Sequence, residues 1–299
     1  TFNEFGFYIQ DQISFSNHFT VVLGGRYNIA DTEFSDQLQP DQASERFDTD
    51  FSPRAGIIYK PADNVSLYAS YTESFLPNSG RSQFLNTETN RTEFGDELVP
   101  ETGRQYEVGA KAKFGDVIAT LALFDIKREN IVDLQTLSSD QIGAQTSRGI
   151  ELDVAGEILP GWKIIASYAH TDTEISSSDR VIVVDGESVN VEGNKLTNVP
   201  QNALSLWTNY SIQKGDFEGL GFGLGFVYEG EKQGDLDNSF TVPDYFRTDA
   251  ALFYGKSNFK AQLNVENLFG VRYFESSKDE FRINPGAPRT VSTTVTFEF

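Results

Sequence analysis

Cysteine and methionine are both absent from the 299 residues. Without cysteine there is no disulfide framework, no thiolate-ligated zinc or iron–sulfur cluster and no thiol nucleophile. The lack of methionine, even at position 1, predicts that the stretch belongs to a longer polypeptide. Histidine is limited to His18 and His170, which are far apart in sequence. Basic residues are scarce: 24 Lys plus Arg stand against 44 Asp plus Glu, a formal charge of -20. A chain so acidic has no basic face for phosphates, so no nucleic-acid partner is expected. Long apolar runs are missing too. The longest near-apolar stretch, Val117 to Phe124, spans 8 residues and contains Thr120, whereas a membrane helix needs roughly 18 or more. That excludes a helical membrane protein. It leaves open a barrel, whose strands alternate and escape hydropathy averages.

Aromatic residues are plentiful, at 13% with 25 Phe and 12 Tyr, although hydrophobic residues total only 38%. They sit in segments of period two, the signature of half-buried strands. Val291, Thr293, Val295, Phe297 and Phe299 share one face, with Ser292, Thr294, Thr296 and Glu298 between them. Phe259, Ala261, Leu263 and Val265 alternate with Lys260, Gln262, Asn264 and Glu266. Ile150, Leu152, Val154 and Ile158 alternate with Glu151, Asp153 and Glu157. Leu220, Phe222, Leu224, Phe226 and Tyr228 alternate with Gly221, Gly223, Gly225, Val227 and Glu229.

Thirteen strands are predicted, at 4–15, 19–34, 48–60, 65–74, 103–114, 117–128, 147–158, 162–173, 201–212, 220–230, 244–254, 258–268 and 288–299. Every short connection between them is followed by a long one. That parity belongs to an all-β, antiparallel up-and-down transmembrane β-barrel, with tight turns on one side and long loops on the other. A soluble sandwich has no reason to keep it. The long connections hold 23 acidic and 9 basic residues, most of the net charge. The polar residues of the strands are expected to face a wet lumen. Two aromatic girdles are expected. Phe15, Phe19, Tyr59, Trp162, Tyr254, Phe259 and Phe299 form the turn-side one, and Tyr27, Phe34, Tyr71, Tyr168, Tyr228 and Phe246 the loop-side one. The odd strand count predicts that upstream strands are missing, because single-chain bacterial barrels close with an even number.

Several segments resemble the C-terminal part of the barrel of TonB-dependent outer-membrane siderophore receptors. They are YIQDQISFSNHFTVVLGGRY (8–27), LVPETGRQYEVGAKAKF (98–114), SRGIELDVAGEILPGWKIIASYAHTD (147–172), VPQNALSLWTNY (199–210), NVENLFGVRYFES (264–276) and NPGAPRTVSTTVTFEF (284–299). Each is moderately specific; six in the right order are a strong signal, and the resemblance extends over essentially the whole chain. The resemblance implies that residues 1–299 are the C-terminal portion of a barrel of about 22 strands, consistent with a plugged lumen. The plug domain, the N-terminal strands and the TonB box are not in this stretch. It implies placement in the bacterial outer membrane and import of a ferric siderophore, with energy supplied through TonB. Lipid, lipopolysaccharide and the barrel-assembly machinery are implied as further partners, the last reading the terminal Phe299. A passive porin, or TonB-dependent uptake of cobalamin, haem or an oligosaccharide, are the alternatives; a soluble β-sandwich binding module is a third class.

No catalytic set appears. H-E-x-x-H, G-x-S-x-G and phosphate-loop patterns are missing, and the period-two glycines Gly219, Gly221, Gly223 and Gly225 read as small inward residues rather than a nucleotide loop. The acid pairs Asp235/Asp237 and Glu97/Glu101 read as solvated loop charge. No metal site and no cofactor are expected. A bulky chelate would be held by aromatic walls and a few donors at the lumen mouth. The candidates are Phe75, Arg81, Phe84, Arg91, Phe94, Phe240, Tyr245, Tyr273, Phe274, Phe281 and Arg282. Arg289 reads as a lumen-facing structural residue. Few histidines and no Met or Cys disfavour haem or soft-metal ligation. The acidic loops point to a neutral or weakly charged hydroxamate-type cargo.

Overall fold

The fold was obtained as a computed structural model. It describes residues 1–35, 43–86, 91–133, 140–141, 143–178, 181–184 and 187–298, with the side chains of 83–86, 91–92, 133, 140, 181–184 and 187–189 set aside. Thirteen strands form one antiparallel sheet in strict chain order. They are β1 (Phe2–Ser16), β2 (Phe19–Phe34), β3 (Ser44–Ala62), β4 (Val65–Leu76), β5 (Glu101–Phe114), β6 (Asp116–Glu129) and β7 (Ala144–Leu159). Then follow β8 (Trp162–Ser177), β9 (Asn202–Ser211), β10 (Leu220–Glu229), β11 (Tyr245–Lys256), β12 (Phe259–Glu266) and β13 (Thr290–Phe297). These are the thirteen predicted strands, with several reaching further toward the loops. Among the described residues β1 and β13 each have one neighbour and do not pair with each other. Among the described residues no helix is long and apolar enough to cross a membrane.

The long connections are more ordered than the sequence suggests. Five fold back as small hairpins of their own: Arg81–Asn86 with Arg91–Glu97, Val132–Asp133 with Asp140–Gln141, Val181–Val184 with Glu187–Asn190, Lys232–Gln233 with Thr241–Val242, and Phe274–Asp279 with Arg282–Pro285. The short turns need little chain. At the β7–β8 turn Gly161 has φ +83° and lies against the Ser211 carbonyl, so a side chain there meets both strain and backbone.

Register fixes which residues share a face, since directly opposed residues point the same way. Leu121 lies opposite Ala110 and Leu152, and Leu152 opposite Tyr168. Tyr168 lies opposite Leu204, and Leu204 opposite Tyr228. This apolar face is the one lipid covers. The alternate residues face the lumen: Glu107, Glu151, Asp153, Ser167, Ser205 and Asp249. Phe34 departs from its assignment to the loop-side girdle. It shares a face with Thr32 and Asn28, on the lumen side, and its ring lies beside Gly80.

The lumen is not uniformly wet. Ile118, Ala155, Ile165 and Trp207 stand opposite one another across β6 to β9, and Ile165 is 60% exposed. Aromatic rings lie against glycines of the next strand. Trp207 covers Gly223 and Gly225, Phe253 covers Gly221, Phe124 covers Gly149, and Tyr68 covers Gly109. A ring over a glycine fills the missing side-chain volume and shields the bare backbone. Alternation shows that Gly221, Gly223 and Gly225 point inward; only the neighbouring strand shows that a tryptophan lies on two of them. Gly219 is in the turn, at φ +87°, and not on the strand.

Candidate functional site

A cavity of about 480 Å³ opens along β1 to β4. Its origin is a split in the sheet. β3 pairs with β4 only as far as Arg54 opposite Thr72, while it continues to pair with β2 up to Ser44 opposite Phe34. The split begins at Pro53, which has no N–H to offer the ladder. Glu4, Gln10, Arg26, Asn28, Ser52, Arg54 and Phe75 surround the opening. Their polar groups are chained together. Arg26 Nε donates to Asn28 Oδ1 at 2.5 Å, Asn28 Nδ2 to Ser52 Oγ at 3.1 Å, and Ser52 Oγ to Asp50 at 2.7 Å. Arg54 donates to Gln10 at 3.2 Å, and Arg26 reaches Glu4 at 3.4 Å. The wall therefore presents fixed donors and acceptors of both signs beside the Tyr8 ring, which lies opposite Arg26, with Phe75 of β4 at the edge of the opening.

The other predicted ligand residues do not gather round that cavity. Arg81 and Phe94 are half-buried in the 81–97 hairpin, where Arg81 Nε donates to the Gly95 carbonyl at 2.8 Å. The backbones of Phe84 and Arg91 lie in the same hairpin; their side chains fall outside the described residues. Phe240 folds over Gly234, closing its own small hairpin. Phe274, Phe281 and Arg282 belong to the last hairpin. Phe281 at its tip is 87% exposed, and Arg282 pairs with Asp279. That guanidinium holds the Asp279 carboxyl below the usual carboxylate range. Phe299 lies outside the described residues.

Tyr245 and Tyr273 do meet, stacked at 4.2 Å between ring centroids, but they are only 8% and 9% exposed. They anchor a loop more than they line a surface. Around them stand residues that the sequence reading missed. Arg247 donates to Tyr273 Oη at 3.2 Å and to Asp249 at 3.1 Å. Buried Lys232 donates to Glu229 and to the Glu275 carbonyl, each at 2.6 Å. Asn267, almost fully buried at φ 51°, has protein partners on every side: its side chain bonds Val271 and Ala287, and its N–H donates to Asp249. Asparagine tolerates that left-handed conformation better than most residues. The N-L-F-x-x-x-Y segment (267–273) is thus a loop anchor, with Asn267 as the pivot and Tyr273 as the wedge.

Three outer loops are tied into one block above β8 to β12. Asn198 Nδ2 donates to the Ser277 carbonyl at 2.7 Å, and the Ser277 N–H returns a bond to Asn198 Oδ1 at 2.8 Å. Asn238 is bonded both ways to the Lys195 backbone, and Ile175, Val191 and Leu236 form a small apolar core beneath. On the other side, Gln141 Nε2 donates to the carbonyls of Val99 and Asn130 and its Oε1 accepts from the Val99 N–H. One member of each acid pair has a structural partner: Glu101 accepts from Arg128 at 2.7 Å, and Asp235 caps Ser239. We predict that Asn198→Ala, which strips both side-chain bonds to Ser277, costs about 1–3 kcal/mol locally. Hydrogen exchange should then speed up at 196–199 and 275–278, with the β5–β6 hairpin unchanged; uniform exchange would show that the block is not held there.

The chain matches the family model described as TonB dependent receptor-like, beta-barrel, over residues 1–268. Among curated relatives it is 29% identical over 303 residues to the metal-pseudopaline receptor CntO of Pseudomonas aeruginosa, covering 97% of this chain and 40% of that protein. It is 31% identical over 304 residues to the ferrichrome outer membrane transporter/phage receptor of Escherichia coli, covering 98% and 38%. Among solved structures, the siderophore receptor PiuA from Acinetobacter baumannii superposes with a TM-score of 0.81 at 26% identity, covering 99% of this chain and 43% of that one. The chain thus spans about two fifths of the length of the curated relatives it matches. Strand order, face alternation and the family match agree, and this chain belongs to the TonB-dependent receptor β-barrels of the bacterial outer membrane.

Proposed function

We propose that the protein containing this chain imports a ferric siderophore, and that residues 1–299 are the C-terminal portion of its barrel. The observation that carries this reading is the match of nearly the whole chain to the barrels of siderophore receptors. The two unpaired sheet edges, β1 and β13, support a larger barrel; an exposed edge within lipid leaves backbone groups unsatisfied. The barrel does no covalent chemistry. It holds the chelate at the loop-side mouth, and TonB, acting through a plug outside this chain, supplies the energy for passage. The barrel-assembly machinery, reading Phe299, and outer-leaflet lipopolysaccharide are the further partners proposed. The acidic loops favour a neutral or weakly charged chelate, with hydroxamates as the first class to try.

The test uses the full-length gene in an iron-starved strain lacking its receptor, fed a panel of ferric siderophores. Growth on at least one, lost when TonB is deleted, is the expected result. Failure of every chelate, together with vesicle swelling by small solutes, would mark a passive pore instead. Within the responding system, Phe75→Ala should weaken chelate binding about tenfold, on the order of 1.4 kcal/mol, with unchanged amounts of folded protein. An unchanged dissociation constant would remove Phe75 from the site.

A further inference from the structure

The lipid-facing surface has a depression at its turn-side rim. Trp162, Tyr210 and Phe222 stand opposite one another in a single row across β8, β9 and β10. The row above is Ile164, Thr208, Leu224 and Ala250. Thr208 is short between large neighbours, and a groove of about 260 Å³ opens over it, walled by Trp162, Tyr210, Phe222 and Leu224. Tyr210 and Phe222 tilt against each other at 6.1 Å between centroids. A hydroxyl on the lipid face is costly when it lacks a partner. Here it has two: Trp162 Nε1 donates to Thr208 Oγ1 at 2.8 Å, and Thr208 Oγ1 donates to the Lys163 carbonyl at 3.0 Å. The floor is thereby polar in composition but has no free polar group to offer, and the indole edge is turned down onto it.

Directly below the groove lie two connected turns. The β9–β10 turn holds Lys214, Asp216, Phe217 and Glu218, and Phe217 is exposed. Next to it β11 ends at Lys256, and that end is joined to the first turn by the Gly255 N–H donating to the Gly219 carbonyl. The chemistry of this rim is two cations and two carboxylates at headgroup level, under an apolar slot with aromatic walls.

We propose that this groove is a specific site for one phospholipid of the turn-side leaflet. Part of one acyl chain occupies the slot between Trp162, Tyr210, Phe222 and Leu224. The phosphate meets Lys214 and Lys256, and an ethanolamine ammonium meets Asp216 and Glu218. The mixed sign of the rim selects a zwitterionic aminophospholipid over an anionic one. The proposal rests on the outer face being the lipid face, which the family assignment supplies; it is independent of which chelate the protein carries.

The experiment is native mass spectrometry of the full-length receptor, exchanged from membranes into detergent and titrated with phosphatidylethanolamine or phosphatidylglycerol. One phosphatidylethanolamine should remain bound to the wild-type protein. Thr208→Phe, which fills the slot with apolar bulk, should weaken retention of both lipids about tenfold, the effect of displacing roughly two methylenes. Lys214→Gln with Lys256→Gln should weaken retention without touching the slot. Heat-modifiable migration on gels scores folding separately for each variant. Equal retention by wild type and both folded variants would overturn the proposal, as would a phosphatidylglycerol affinity equal to or above that for phosphatidylethanolamine.

Discussion

Replacing Leu121 with Arg should destabilise the membrane-inserted barrel by about 2–4 kcal/mol, while the same change one residue away should cost far less. Leu121 is on the lipid face, opposite Ala110 and Leu152. Thr120 is on the lumen face, opposite Lys111 and Asp153. A guanidinium in the apolar band costs about 2–4 kcal/mol at the bilayer midplane. That is a large part of the net stability of most folded chains. At Thr120 the same group is hydrated, with the Asp153 carboxylate on one neighbouring strand offsetting Lys111 on the other. Urea titration of the full-length protein in lipid vesicles would measure both. Equal loss for the two variants would mean that the faces are assigned wrongly; equal tolerance would mean that Leu121 is outside the apolar band.

The second large effect is expected at Gly149. A Cβ there is in hard contact with the His170 carbonyl oxygen and lies 2.6 Å from Phe124 Cζ. One obstacle is backbone in the adjacent strand and cannot step aside. Gly149→Val should therefore cost about 1–3 kcal/mol through overpacking, and more if the β7–β8 ladder opens. Gly56→Val is the matched control. Its Cβ meets only the Ala69 carbonyl oxygen at 3.7 Å and Val22 Cβ at 3.8 Å, ordinary contacts. Gly223→Ala is intermediate, because its obstacle is the Trp207 ring at 2.6 Å, a side chain with somewhere to go. Combining Gly223→Ala with Trp207→Leu should recover part of the loss, whereas Phe124→Leu should recover little of the Gly149→Val loss. Folding midpoints that rank the three glycines differently would show that neighbouring-strand geometry is not what selects them.

The strands were legible because their signal is local. An outward Leu or Phe every second residue, as in Ile150, Leu152 and Val154, needs no knowledge of its partners. The same holds for the alternation of short and long links. The places of the candidate ligand residues were far less legible. Phe75 lines the cavity along β1 to β4, but Tyr245 and Tyr273 are buried as a stacked pair, and Phe281 stands clear at a hairpin tip. An aromatic in a loop looks the same in sequence whether it lines a mouth, wedges a loop or faces solvent. Arg247 and Lys232 were missed for a related reason: one lies inside a strand and the other in an acidic loop, and only long-range pairing brings them to the two tyrosines.

By itself the sequence determined the all-β class, the thirteen strands, the two faces of each strand, the side of the long loops and the acidity of those loops. All of these follow from period-two alternation and from residue type along one stretch of chain. Only the tertiary structure decided where β3 parts from β4, and which rings lie on which glycines. It also decided that three loops lock together through Asn198 and Ser277, and that a groove opens over Thr208. Each of these depends on cross-strand register and on bonds between residues as much as 79 positions apart. Such contacts are set by how neighbouring strands align, and no single stretch of sequence carries that information.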